Sequence, residues 1–254
     1  MSNFKLESCT VETSDGVKLH ARVFKPSDEK DSKDDNLVIV LVHPYSVLGG
    51  CQGLLKGIAS GLAGKGYRAV TFDMRCVGKS TGRASLTGFA EVKDVVAVCK
   101  WVCENLSTDR ILLVGSSAGY ILMDELLDLV DNARSMLELG EVEFRSLGAP
   151  IAGSAVQEIP QVVGYVSLGY PFGILASILF GRHHKNILET PKPKLFVMGT
   201  RDGFTSVKQL KNKLSSAEGR VETHLIEGVS HFQMEGPEYD AKMVTLILEF
   251  IASL

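Results

Sequence analysis

The sequence predicts an α/β protein with a mostly parallel central sheet of about eight strands and helices on both faces. Three observations predict it. Short β-rich runs alternate with amphipathic helical stretches, the pattern of strands joined by crossover helices. Leu37–Val42 is apolar at every position, as a central parallel strand covered on both sides must be. The chain of 254 residues, 45% of them hydrophobic, can bury one large core without a disulfide or metal staple. A single domain spanning residues 1–254 is expected.

Each element follows from its residues. Glu7–Thr13 and Val17–Phe24 flank the turn Ser14-Asp15-Gly16 and read as an antiparallel hairpin closed by Lys25-Pro26. A charged connection, Ser27–Asn36, leads to the strand Leu37–Val42, which runs into His43-Pro44 and a glycine-bearing loop. Leu54–Ala63 reads as a helix ended by Gly64 and Gly66, and Tyr67–Asp73 as the next strand. Phe89–Asn105 carries Val92, Val95, Val96, Val98, Trp101 and Val102, a spacing that lays one helical face on a sheet. Arg110–Gly115, Val162–Leu168, Lys194–Gly199 and Arg220–Ile226 complete the strands, and Asp240–Ala252 is the last helix.

Composition narrows the function. With 27 basic and 30 acidic side chains the formal charge is −3, which argues against a surface built for nucleic acid. The longest apolar runs fall far short of the roughly 20 residues of a membrane span, so none is expected. The start lacks a basic segment followed by an apolar one, and the five cysteines are odd in number and scattered. Free thiols and a cytoplasmic location are expected. No metal site is expected either. Cys99 and Cys103 lack a paired histidine, and His183-His184, between Arg182 and Lys185, read as a solvated turn.

The chemistry centres on Gly115-Ser116-Ser117-Ala118-Gly119, a G-x-S-x-G placed after a strand and before a helical stretch. Such a turn holds its serine in a strained backbone and needs small flanking residues so that strand and helix can close on each other. Alone, Ser117 could be a tight-turn serine without chemistry. Two further loops add to it: Thr200-Arg201-Asp202 ends one strand, and Gly228-Val229-Ser230-His231 follows the next. In the order Ser117, Asp202, His231, the imidazole would take the serine's proton while the carboxylate fixes its tautomer.

Together with His43-Pro44 and the Asp73–Ser80 segment, these loops resemble the α/β-hydrolase superfamily along nearly the whole chain. The chain is similar in particular to a small, nearly capless branch with an Ala-Pro segment after the elbow and a Gly-Tyr-Pro-Phe-Gly stretch, here Gly169–Gly173. The resemblance implies a serine hydrolase cleaving carboxylic ester or related acyl bonds through an acyl-enzyme on Ser117, with no metal or organic cofactor. It implies an oxyanion hole from the backbone N–H of Ala118 and one from Tyr45 or Ser46. Cys76 and Val77 stand where the family usually has Gly and His, and this loop is read as structural. Small-molecule acyl substrates are expected, since only Phe172–Pro191 is available as a cap; Leu175, Ile178 and Leu179 would line any enclosed tunnel. The alternative from another class is a hydrolase-fold binding or receptor protein. The sequence sets no oligomeric state.

One segment does not fit. Between Gly115 and Val162 lie 46 residues, far more than a crossover needs. Tyr120–Gly148 holds seven of the chain's acids, two arginines and no lysine, a net charge of −5. Without it the chain reads Gly-Ser-Ser-Ala-Gly-Ala-Pro-Ile-Ala-Gly-Ser, the sequence the resembling family has at the elbow. A 29-residue insertion, such as a retained intron or alternative exon, is therefore expected at residues 120–148, and it could disable this form. Its stripe of Ile121, Leu122, Leu126, Leu129, Val130, Ala133 and Leu137 could replace the helix after the elbow. Alternatively it loops out, and the later small-residue segment builds that helix. A family member with a long native helix is the third reading.

Overall fold

The computed structural model describes residues 4–28, 30, 32–34, 36–44, 50–85, 87–117 and 148–254, the side chains of 174–180 and 235 excepted. Eight strands form one sheet: β1 (Phe4–Glu12), β2 (Lys18–Pro26), β3 (Leu37–Val42), β4 (Arg68–Phe72), β5 (Arg110–Ser116), β6 (Val162–Leu168), β7 (Lys194–Gly199) and β8 (Val221–Ile226). Their spatial order is β1-β2-β4-β3-β5-β6-β7-β8. The β1–β2 hairpin joins β4 antiparallel, and every pairing from β4 to β8 is parallel. The carboxyl ends of β3, β5, β7 and β8 therefore open on one edge of the sheet, where loops can converge.

Helices cover both faces: α1 (Lys56–Gly64), α2 (Phe89–Asn105), α3 (Gly148–Ala155), α4 (Ile174–Glu189), α5 (Val207–Leu214) and α6 (Asp240–Ala252). Strand β3 shows why it must be apolar throughout. Val38, Val40 and Val42 face a core shared with Val95 and Val98 of α2 and Ala152 of α3. Leu37, Ile39 and Leu41 face the other core, with Ile58 and Leu62 of α1 and Met243 and Ile247 of α6. Burying a side chain of this size contributes roughly 1.5–3 kcal/mol, so a polar residue on either face would be costly.

The helix α5 was not expected. Its start is marked by a capping box in which the Ser206 hydroxyl accepts the Gln209 N–H and the Gln209 side chain accepts the Ser206 N–H. His183 and His184 correct a second expectation: they are no solvated turn. They lie inside α4, 1% and 4% exposed, because helical spacing turns Arg182 and Lys185 outward while the histidines and Ile187 face the core. His183 sits between the Ser154 hydroxyl at 2.6 Å and the Thr87 carbonyl at 2.7 Å, stacked on Phe89. His184 packs on Tyr170 and Phe172.

The Asp73–Ser80 loop is structural, as read. Arg75 is buried and bonds Asp94 of α2 at 2.7 Å and Asp15 of the hairpin turn at 3.0 Å. Cys76 has φ 66°, a left-handed conformation that costs a non-glycine residue roughly 1–2 kcal/mol and accounts for the glycine usual there.

Burial lowers the pKa of His43 and His183 from the ordinary 6.5 and takes that of His184 to about 4. The unfolded chain binds these protons near pH 6.5 and the folded chain only at lower pH. The associated stability is thus complete above about pH 6.5 and falls as pH drops toward 4, at about 1.4 kcal/mol per pH unit for each such proton. Among the described residues, Nε2 of His184 has no hydrogen-bond partner, while the ring bonds the backbone of Pro171, so His184→Leu gives up that one bond. A Tm series from pH 8 to 4.5 is expected to fall steeply below pH 6.5, and His184→Leu to flatten the fall.

Candidate active site

Ser117 follows directly on β5. Its N–H bonds the Leu168 carbonyl at 3.0 Å, which carries the β5–β6 ladder one residue past the strand. The side chain is fully buried, and its Oγ accepts the N–H of Ala149 at 3.0 Å. That donor belongs to the first turn of α3, whose eight residues are all buried. The later small-residue segment thus packs against β5: a Cβ on Gly115 would lie 2.7 Å from both Ala149 Cα and Ala152 Cβ. The Tyr165 hydroxyl, from the neighbouring strand, donates to the Ala149 carbonyl at 2.8 Å and holds the helix down.

Asp202 and His231 meet because β7 and β8 are parallel neighbours whose following loops are stitched together. Arg201 N–H bonds the Val229 carbonyl, and Gly228 N–H bonds the Thr200 hydroxyl, both at 2.9 Å. Oδ2 of Asp202 lies 2.5 Å from Nδ1 of His231, with both side chains almost wholly buried. Oδ1 accepts the N–H groups of Phe204 and Thr205, each at 2.8 Å, so the carboxylate is fixed from its own loop. Nε2 of His231 lies 2.8 Å from the backbone carbonyl of Ser117. Both ring nitrogens thus face oxygen atoms, Nδ1 a carboxylate and Nε2 a backbone carbonyl.

Three residues expected at the site, Ala118, Tyr45 and Ser46, lie outside the described residues, as do 120–147 and the side chains of Leu175, Ile178 and Leu179. The strain expected at the nucleophile is not at Ser117. Among the described residues, the non-glycine residues with positive φ are Cys76 and Ser107.

Sequence reasoning missed the supports. His43, fully buried, donates from Nδ1 to the Pro44 carbonyl at 2.6 Å and accepts the Met74 N–H on Nε2 at 3.1 Å. Gln52 N–H and Nε2 donate to the two oxygens of Asp73 at 2.9 and 2.8 Å, and its Oε1 accepts the Thr71 hydroxyl. The loop from β3 is therefore pinned at both ends. Phe204 packs on the His231 ring with centroids 4.6 Å apart. Thr205 ties the acid loop to the Gly169–Gly173 stretch, donating to the Tyr170 carbonyl and accepting the Phe172 N–H. A hydroxyl three residues after a candidate acid was the available signal.

Among the described residues, no group of three or more His, Cys, Asp or Glu gathers as a metal site, and no helix is long and apolar enough to cross a membrane.

The fold that carries this geometry is similar to those of known proteins. The family model described as X-Pro dipeptidyl-peptidase (S15 family) matches residues 15–123, and one described as an alpha/beta hydrolase domain matches residues 115–238. The two overlap across the elbow. An alpha-beta serine hydrolase homologue from Coxiella burnetii is 23% identical, with a TM-score of 0.69 and coverage of 98% of this chain and 97% of that one. A lidless α/β serine hydrolase from Xanthomonas campestris is 19% identical, with a TM-score of 0.69 and coverage of 96% and 94%. The esterase Pf2001 from Pyrococcus furiosus is 18% identical, with a TM-score of 0.67 and coverage of 98% and 91%. No curated protein matches the chain in sequence. The two models together span residues 15–238, and the chain has the α/β-hydrolase fold.

Proposed function

We propose that this protein is a serine hydrolase that cleaves carboxylic ester or related acyl bonds of small substrates in the cytoplasm. The reading rests on one observation above all: the buried Asp202–His231 pair closes against Ser117 at the carboxyl edge of the sheet. Ser117 Oγ attacks the acyl carbonyl carbon as His231 Nε2 takes its proton. Asp202, held by two backbone N–H groups, keeps the proton on Nδ1 and stabilises the imidazolium. Backbone N–H groups of Ala118 and of Tyr45 or Ser46 receive the oxyanion. The imidazolium protonates the leaving alcohol, and water then releases the acyl group from Ser117 by the reverse proton path.

A second reading, a form disabled by residues 120–148, is favoured by the contacts themselves. Nε2 of His231 meets the Ser117 carbonyl, and Ser117 Oγ accepts from Ala149. To act as base, His231 must exchange that carbonyl for the hydroxyl. A fluorophosphonate probe, which labels activated serines, separates the two. Labelling that disappears in Ser117→Ala is expected; a folded protein that takes no label supports the disabled or receptor form.

A further inference from the structure

Gly119 is the second glycine of the elbow when the sequence is read as a string. Another glycine makes a close approach to the elbow in space. Gly148, at the start of α3, sits so close to the elbow that a Cβ there would lie 2.0 Å from the Ser116 carbonyl oxygen and 2.2 Å from that of His43. Real Cβ atoms do not approach backbone oxygens so closely, and backbone at the centre of a sheet cannot swing aside as a side chain can. Gly115 makes the matching approach from the strand side, against Ala149 Cα and Ala152 Cβ. The next residue, Ala149, places its N–H on Ser117 Oγ at 3.0 Å.

We infer that Gly148 is the positioning residue that seats Ser117, and that Gly115 and Gly148 are the working glycine pair of the G-x-S-x-G turn. Removing 119–147 or 120–148 leaves the same sequence, because each boundary begins or ends on a glycine. The chain can therefore pass from Ser117 into α3 with Gly148 taking the glycine's place. Through Ala149 and the His43 carbonyl, Gly148 sets the height of the serine hydroxyl and of the loop leaving β3. The positioning role rests on the serine hydrolase reading, whereas the packing role does not.

The test compares Gly148→Ala with Gly119→Ala in the full chain. Gly148→Ala is expected to lower Tm by about 5 °C or more, the scale of overpacking in a rigid core, and Gly119→Ala to leave it within about 1 °C. In the folded Gly148→Ala protein, the fluorophosphonate labelling rate and kcat on a short-chain nitrophenyl ester are expected to fall at least tenfold, with KM within about twofold. Gly119→Ala is expected to hold both rates within about twofold. A Gly148→Ala protein that cannot fold, beside a normal Gly119→Ala, supports the same assignment. Equal tolerance at both positions, or damage from Gly119→Ala alone, overturns it. If the wild-type chain takes no label, the hydrolase reading fails while the Tm comparison still decides the packing role.

Discussion

Asp202→Asn is expected to lower kcat on an acyl ester by about three to four orders of magnitude while KM changes little. The geometry gives the reason. Oδ1 accepts two backbone N–H groups at 2.8 Å, from Phe204 and Thr205. An asparagine keeps its carbonyl oxygen there, because turning the NH2 toward two donors would leave all of them unpaired. The NH2 then faces Nδ1 of His231, where Oδ2 stands at 2.5 Å in the native chain. Donating to Nδ1 forces the proton onto Nε2, so the nitrogen facing Ser117 carries a hydrogen and cannot take another. Volume and burial barely change, and circular dichroism should match the parent. Steady-state kinetics on a nitrophenyl ester checks it. A loss under tenfold would remove Asp202 from the mechanism, whatever the fold.

The sheet was legible because its physics is local. Strands β3, β6 and β7 and helices α2 and α6 were readable to the residue, since a strand covered on both faces must be apolar throughout and α2 shows one face to the sheet. The candidate serine, acid and base stood out in the sequence for a different reason: each lies in the loop after a strand, and parallel neighbours bring those loops to one edge. What escaped depends on contacts between distant segments. His183-His184 looked solvated beside Arg182 and Lys185 because nothing local says that Ser154, Thr87 and Tyr170 will cover that side of α4. The capping box of α5 could have been found, since serine followed three residues later by glutamine is a start signal. The helix behind Ser117 could not be assigned from sequence. Two segments competed for it, and the choice is made by steric fit at Gly115 and by the Tyr165 hydroxyl.

Deleting residues 120–148 is expected to raise both stability and turnover. We propose that this segment is an insertion, and its cost has two parts. Closing a 29-residue excursion between Ser117 and the helix that bonds it costs on the order of 3 kcal/mol by the length scaling of loop entropy. Returning that amount should raise Tm by roughly 6–12 °C in a domain of this size. The second part falls on the site. In the full chain, the carbonyl of Ser117 stands 2.8 Å from His231 Nε2, where a base should meet the hydroxyl. That carbonyl belongs to the peptide unit leading out of Ser117 toward the segment. Joining Gly119 directly to Ala149 redirects the unit into α3 and frees Nε2 for Oγ. Because about 1 Å of misplacement at a reacting atom can cost a hundredfold, turnover should rise by on the order of a hundredfold. Differential scanning calorimetry and nitrophenyl ester kinetics on the two chains measure the parts separately. A higher Tm with unchanged turnover would confine the penalty to chain entropy. Higher turnover at equal Tm would place it at the His231–Ser117 contact, and equality in both would mean that the family's elbow tolerates 29 residues at its tightest turn.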